Sequence, residues 1–216
     1  MDVQVPGAFL ATLLLVLSQI HGQVVRFRSC RVDVDVMPNF DRNRYLGTWF
    51  EVQRYFPIIF EQNLMCGTAT YLPGPTNDTI MVLNRAINRF TRQLDTVMGS
   101  AKVVSNAKLN VDFGGDNDAS ASFGVTPNGN YWVLDTDYES YAVVYSCTEF
   151  WATISFEIVW ILGRTPTLPQ LRIDQIYARL TSEGIDIEPF RARADIQGSP
   201  SNDCVNFREN RIGPGQ

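Results

Sequence analysis

The sequence predicts an all-β domain of hairpin-linked strands, a sandwich or a barrel, with one helix near its C-terminal end. Three observations carry this expectation. From Cys30 onward, apolar residues recur at every second position or in short β-branched and aromatic runs, as in "LNVDF", "YAVVYSC" and "ISFEIVWILGR". Turn-forming clusters separate the runs: "PGPTND" at 73–78, "GGDND" at 114–118 and "TPNGN" at 126–130. One segment alone changes period. Ile173, Ile176, Tyr177 and Leu180 fall at i, i+3, i+4 and i+7, which is one face of a helix.

The elements follow in chain order. The first apolar run, Ala8 to Leu17, closes at Ser18 and Gln19. It is too short to cross a bilayer and has the length of a signal-peptide core, although Met1–Gly7 carries no Lys or Arg. Cleavage near Gly22 would make residues 1–22 a signal peptide and 23–216 one secreted, extracellular domain. Next comes "NRYLGTWFEVQRYF" at 43–56, where Gly47, two residues before Trp49, marks a tight backbone approach. Pro57 keeps the following loop from continuing as a central strand. "TIMVLN" at 79–84 is apolar on both faces, so alternation does not orient it. In "LNVDF", Leu109, Val111 and Phe113 share a face opposite Asn110 and Asp112 and must point inward. For the helix, Thr165–Pro166 and Pro169 mark the start and Gly184 the stop. Its apolar stripe is expected to pack on the outside of the sheet.

Composition removes several function classes. The 216 residues carry a net charge of −5, so no basic excess points to nucleic acid. The single histidine, His21, lies in the leader. The processed chain would then lack a Ser-His-Asp triad, a Cys-His pair and a His-held metal or haem, so no catalytic residue and no metal ligand is assigned. Cys30, Cys66, Cys147 and Cys204 are widely spaced with no C-x-x-C pair, which indicates two long-range disulfides in an oxidising compartment. Each would contribute about 4 kcal/mol on the entropic view. Spacing does not choose the pairing. Asn77 heads an "NDT" sequon in a turn, the pattern of an N-glycosylation acceptor.

"NFDRNRYLGTW", "TDYESYAVVYSC" and "WILGRTPTL", in that order and followed by an amphipathic helix, resemble the motifs of the lipocalin family and of its apolipoprotein D-like subgroup. The resemblance implies an eight-stranded antiparallel up-and-down barrel with the helix outside, a bore suited to one small molecule. It implies that Gly47, Trp49, Thr136, Asp137, Tyr138 and Arg164 meet at the closed end, with Trp49 as floor and the Arg164 guanidinium on its indole. It also implies the pairs Cys30–Cys147 and Cys66–Cys204. If Arg164 points inward, parity turns Leu162, Trp160 and Ile158 inward, and the family match turns Asn84, Val82, Ile80 and Tyr71 the same way. The expected ligand-lining set is thus Tyr71, Val82, Asn84, Leu109, Val111, Phe113, Trp160 and Leu162. The implied function is carriage of a small hydrophobic ligand: a fatty acid, sterol or related lipid, or a tetrapyrrole or carotenoid pigment. No cofactor is expected beyond such a bound pigment or lipid. The alternative is a lipocalin-fold enzyme or antioxidant acting on lipids or peroxides, through a free thiol or an exposed Met65 or Met98. Two apolar loops at the mouth carry Phe56, Ile58, Ile59 and Phe60, and Phe150 and Trp151. They are either a lid or a weak docking patch for a membrane or lipoprotein surface.

Overall fold

The period-two runs become strands of one sheet that curls until its edges meet. A computed structural model describes residues 24–31, 33–55, 64–88, 90–113, 129–150 and 154–191. The barrel strands are β2 (Gly47–Arg54), β3 (Leu64–Pro73), β4 (Thr79–Asn88), β5 (Leu94–Ser105), β6 (Lys108–Asp112), β7 (Gly129–Thr136), β8 (Tyr141–Phe150) and β9 (Ile154–Gly163). Each pairs antiparallel with its neighbour in sequence, and β9 also returns to β2. That last ladder closes an eight-stranded up-and-down barrel, leaving no long open edge.

One strand was not expected from the sequence. β1 (Val24–Arg26) pairs with β9 opposite Glu157, Phe156 and Ser155. The β2–β9 ladder ends at Arg54 opposite Trp160, so β1 occupies the stretch of β9 that β2 has left. Polar contacts fix it there. Glu157 is buried on the outer face and accepts from Arg26 Nε at 3.0 Å, Arg28 Nη2 at 3.1 Å and the Tyr145 hydroxyl at 3.3 Å. Just beyond, the disulfide Cys30–Cys147 ties the arm to β8.

A short helix, α1 (Arg42–Tyr45), leads into β2, and the Asp41 carboxylate caps it by accepting from the backbone of Asn43 and Arg44. The predicted helix is α2 (Gln170–Ser182). Ile173, Ile176 and Leu180 are buried against a cluster that includes Val143, Val159 and Ile161, outside the barrel. At its end Gly184 takes a φ of +70°, which lets the amides of Gly184 and Ile185 close on the carbonyls of Thr181 and Leu180. Arg179 locks the helix to β7, at 2.9 Å from Asp135 and 3.0 Å from the Leu134 carbonyl. A last turn, α3 (Glu188–Arg191), sets Phe190 edge-on against Tyr55 at 4.9 Å. The barrel wall therefore separates two apolar clusters, one in the lumen and one under α2.

Candidate functional site: the barrel lumen and its closed end

The closed end is built around one arginine. Arg164 follows β9 and lies over the Trp49 ring at 3.7 Å. Its Nε donates to the Tyr138 carbonyl at 3.1 Å, and Nη1 donates to Thr48 at 3.1 Å. Nη2 donates to the carbonyls of Arg44 at 3.0 Å and Leu46 at 2.9 Å. The indole Nε1 of Trp49 in turn donates to the Tyr45 carbonyl at 2.8 Å, so the fully buried ring is fixed on face and edge. Gly47 has a φ of +96°, and a Cβ there would stand 3.2 Å from Arg164 Nη1. The backbone conformation therefore favours glycine, and a Cβ would press on the guanidinium.

The Thr136–Tyr138 turn completes this end. Thr136 Oγ1 donates to the Tyr141 carbonyl at 2.7 Å and accepts from the Tyr138 amide at 2.8 Å. Asp137 accepts from the amides of Glu139, Ser140 and Tyr141 at 3.0, 2.7 and 3.0 Å, and from the Ser140 hydroxyl. Partial burial raises its carboxyl, but these hydrogen bonds outweigh that and hold it below the ordinary aspartate value. Tyr138 adopts a φ of +68°, which an L-residue rarely does, and its carbonyl accepts from Arg164 while its hydroxyl accepts from the Asp41 amide at 2.9 Å.

The lumen lies above this floor. Tyr71, Val82, Leu109, Val111, Phe113 and Leu162 share one buried cluster, joined by Ile80 and, part-buried, Trp160. Phe113 packs over Gly99, where a Cβ would meet its Cδ1 at 2.7 Å. Asn84 stands opposite Ala69 of β3 and Val97 of β5, both members of or packed on the same cluster. Its Oδ1 is buried and has no hydrogen-bond partner.

Four lumen residues escaped the sequence. Tyr45 and Tyr131 join Tyr71: the hydroxyls of Tyr45 and Tyr131 are 2.8 Å apart, and Tyr71 donates to Tyr131 at 2.7 Å. β3 and β7 face each other across an eight-strand barrel, so the Tyr71–Tyr131 bond spans the bore. Tyr131 also stacks on Trp160 at 6.5 Å. Alternation with Val133 on "YWVLD" could have revealed Tyr131. Glu51 and Arg54 were hidden by a register shift in β2 between Glu51 and Gln53. Residues three apart then share a face: Glu51 stands opposite Leu162 and Arg54 opposite Trp160, with Arg54 Nη1 to Glu51 Oε2 at 3.2 Å.

Asn77 is exposed in the turn between β3 and β4. Cys66 is held in a disulfide, but Cys204 lies outside the described residues, as do residues 1–22, residues 114–128, and Phe56, Ile58, Ile59, Phe60 and Trp151 with the Phe150 side chain, which were expected at the mouth. Among the described residues no cluster is able to hold a metal ion, and no helix is long and apolar enough to cross a membrane.

An up-and-down barrel latched at one end by tryptophan and arginine, with an apolar lumen and one outer helix, defines a cup-shaped barrel class. The chain belongs to the lipocalin family: the model of the lipocalin-like domain matches residues 40–195. It is 40% identical to apolipoprotein D of Mus musculus over 183 residues, 83% of this chain and 89% of that protein. To the Lazarillo protein of the arthropod Schistocerca americana it is 27% identical over 186 residues, 85% of this chain and 83% of that one. Insecticyanin of the tobacco hornworm Manduca sexta has the same fold, with a TM-score of 0.63 at 20% identity over 78% of this chain and 87% of that one.

Proposed function

We propose that the chain is a secreted carrier of one small hydrophobic ligand held in the barrel lumen. The observation that carries this reading is the buried, partnerless Oδ1 of Asn84 within an apolar and aromatic wall. A buried acceptor without a partner costs about 1–3 kcal/mol, and a ligand donor would relieve it. The ligand itself leaves water for apolar surface, which supplies the main driving force. Membership of the lipocalin family and likeness to apolipoprotein D support binding and transport of a lipid or pigment. Secretion is supported by the apolar leader and by the Cys30–Cys147 disulfide. In this reading residues 1–22 are removed, 23–216 form one domain, Cys66 pairs with Cys204, and Asn77 carries a glycan. The mouth loops act as a lid or as a docking patch for a lipid surface. A thiol-dependent enzyme would need a free cysteine; Cys30 and Cys147 bond each other, and Cys66 is also in a disulfide.

Titration of the purified protein with a neutral lipid or a carotenoid should quench tryptophan fluorescence through Trp160. Trp160→Phe should remove most of the quench and weaken binding by about 1 kcal/mol. An unchanged quench in that variant would place the ligand elsewhere.

A further inference from the structure

The tyrosine cluster holds one hydroxyl proton more than its own bonds use. Tyr45, Tyr71 and Tyr131 bring three protons, and two bonds join their oxygens. Tyr71 donates to Tyr131 at 2.7 Å, and the hydroxyls of Tyr45 and Tyr131 are 2.8 Å apart. Tyr45 has no exposed surface and is wedged between Trp49 at 5.1 Å and Tyr71 at 5.2 Å. Among the described residues its hydroxyl meets no other acceptor, and a buried proton without one is costly, so Tyr45 donates to Tyr131. The Tyr131 oxygen then accepts two hydrogen bonds, while its own proton meets no acceptor among the described residues. Tyr131 alone of the three keeps appreciable exposure, and its ring stacks on part-buried Trp160.

This arrangement suits the loss of a hydrogen atom from Tyr131. A proton that already donates a hydrogen bond must leave that bond before it is abstracted, and the Tyr131 proton has none to leave. The phenoxyl oxygen left behind is an acceptor only, and two donors already point at it. Those donors sit in a buried site, where hydrogen bonds are stronger than in water. Burial pushes all three hydroxyls above their ordinary value, so the cluster stays neutral and gives up proton and electron together.

The surroundings keep the unpaired electron on Tyr131. If a hydrogen atom passed to it from Tyr45 or Tyr71, the new radical oxygen would have one donor in place of two. Transfer onward from Tyr45 to Trp49 would put a radical cation under the Arg164 guanidinium, 3.7 Å from that ring. Like charges that close in a buried site oppose the step.

We propose that Tyr131 donates a hydrogen atom to organic peroxyl radicals that enter the barrel, and that Tyr45 and Tyr71 hold the resulting phenoxyl radical by two hydrogen bonds. The O–H bond of Tyr131 breaks and an O–H bond forms on the terminal peroxyl oxygen. One hydroperoxide and one tyrosyl radical result. Tyr131 is oxidised by one electron and the peroxyl radical is reduced by one, the proton travelling with the electron. This activity is separate from carriage and does not depend on which molecule the lumen carries.

The test exposes the full processed protein, in air, to a neutral oil-soluble azo initiator, whose thermal decomposition supplies alkylperoxyl radicals. Samples frozen at intervals are read by electron paramagnetic resonance, and the hydroperoxide is assayed in parallel. Ring-deuterated tyrosine in the protein should narrow the signal, which assigns it to tyrosine. Proton double resonance should show two exchangeable couplings to the radical oxygen, both lost in heavy water. Tyr71→Phe should leave one coupling and shorten the radical's half-life about fivefold. Tyr131→Phe should remove the signal and the hydroperoxide that accompanies it. Tyr177→Phe, outside the barrel, should keep both. The couplings in the unmodified protein test the site even where a variant fails to fold. No signal, a tryptophan signal, a tyrosyl radical without exchangeable couplings, or a signal that survives Tyr131→Phe overturns the inference and leaves the carrier reading standing.

Discussion

Arg164 satisfies four backbone carbonyls and covers an indole, so it is where a single substitution should matter most. Arg164→Ala removes its donors from those carbonyls and strips one face of Trp49. We expect a loss of about 3 kcal/mol in urea denaturation, with ligand choice little changed in the folded fraction. Arg164→Lys should recover only part of it, because one ammonium cannot reproduce the fork. Asp137 adds a pH dependence. Its folded-state pKa lies below the unfolded one, so its contribution is present above the unfolded value of about 4 and fades as pH falls through the folded value. Asp137→Asn should therefore be less stable than the parent at neutral pH, and the gap should narrow below about pH 4. A constant gap across that window would mean the carboxylate charge is not what holds the turn. At this scale alternation was a good guide where strands are regular. Leu109 and Val111 on β6, Phe113 just after it, and Trp160 and Leu162 on β9 gather in one cluster, distinct from the one under α2. It failed on β2, where the register shift hides Glu51 and Arg54 from any period-two count.

Among the elements, α2 was legible because its apolar spacing and its proline and glycine limits all agree; three of the four residues the spacing selected, Ile173, Ile176 and Leu180, are buried, and Tyr177 is part-buried. The arm β1 was not. Three residues are too few to show a period, and what fixes them is distant: the β9 ladder beyond β2, the buried Glu157, and Cys147. The disulfide closes a loop of 117 residues, which on the entropic view corresponds to about 4–5 kcal/mol. The double variant Cys30→Ser, Cys147→Ser should lower stability by up to that amount. Hydrogen exchange should show the loss of protection concentrated in the arm and the mouth half of β9. Uniform loss over the whole barrel would instead make the arm part of the core folding unit.

For the whole molecule, the fold class could be read from periodicity, while the closed-end motifs supplied the strand count, the floor and the direction of the lumen. The tyrosine crossbar was beyond reach, because Tyr45, Tyr71 and Tyr131 lie far apart in sequence and meet only through the curvature of the closed sheet. The account as a whole stands or falls on the lumen having an occupant. Its most direct test is native mass spectrometry, with an absorption spectrum, of the protein purified from its natural source without organic extraction. The account predicts one small hydrophobic molecule per chain, released on denaturation and identifiable as a lipid or pigment. A natural protein that is ligand-free, and that takes up no lipid or pigment offered in excess, would contradict it.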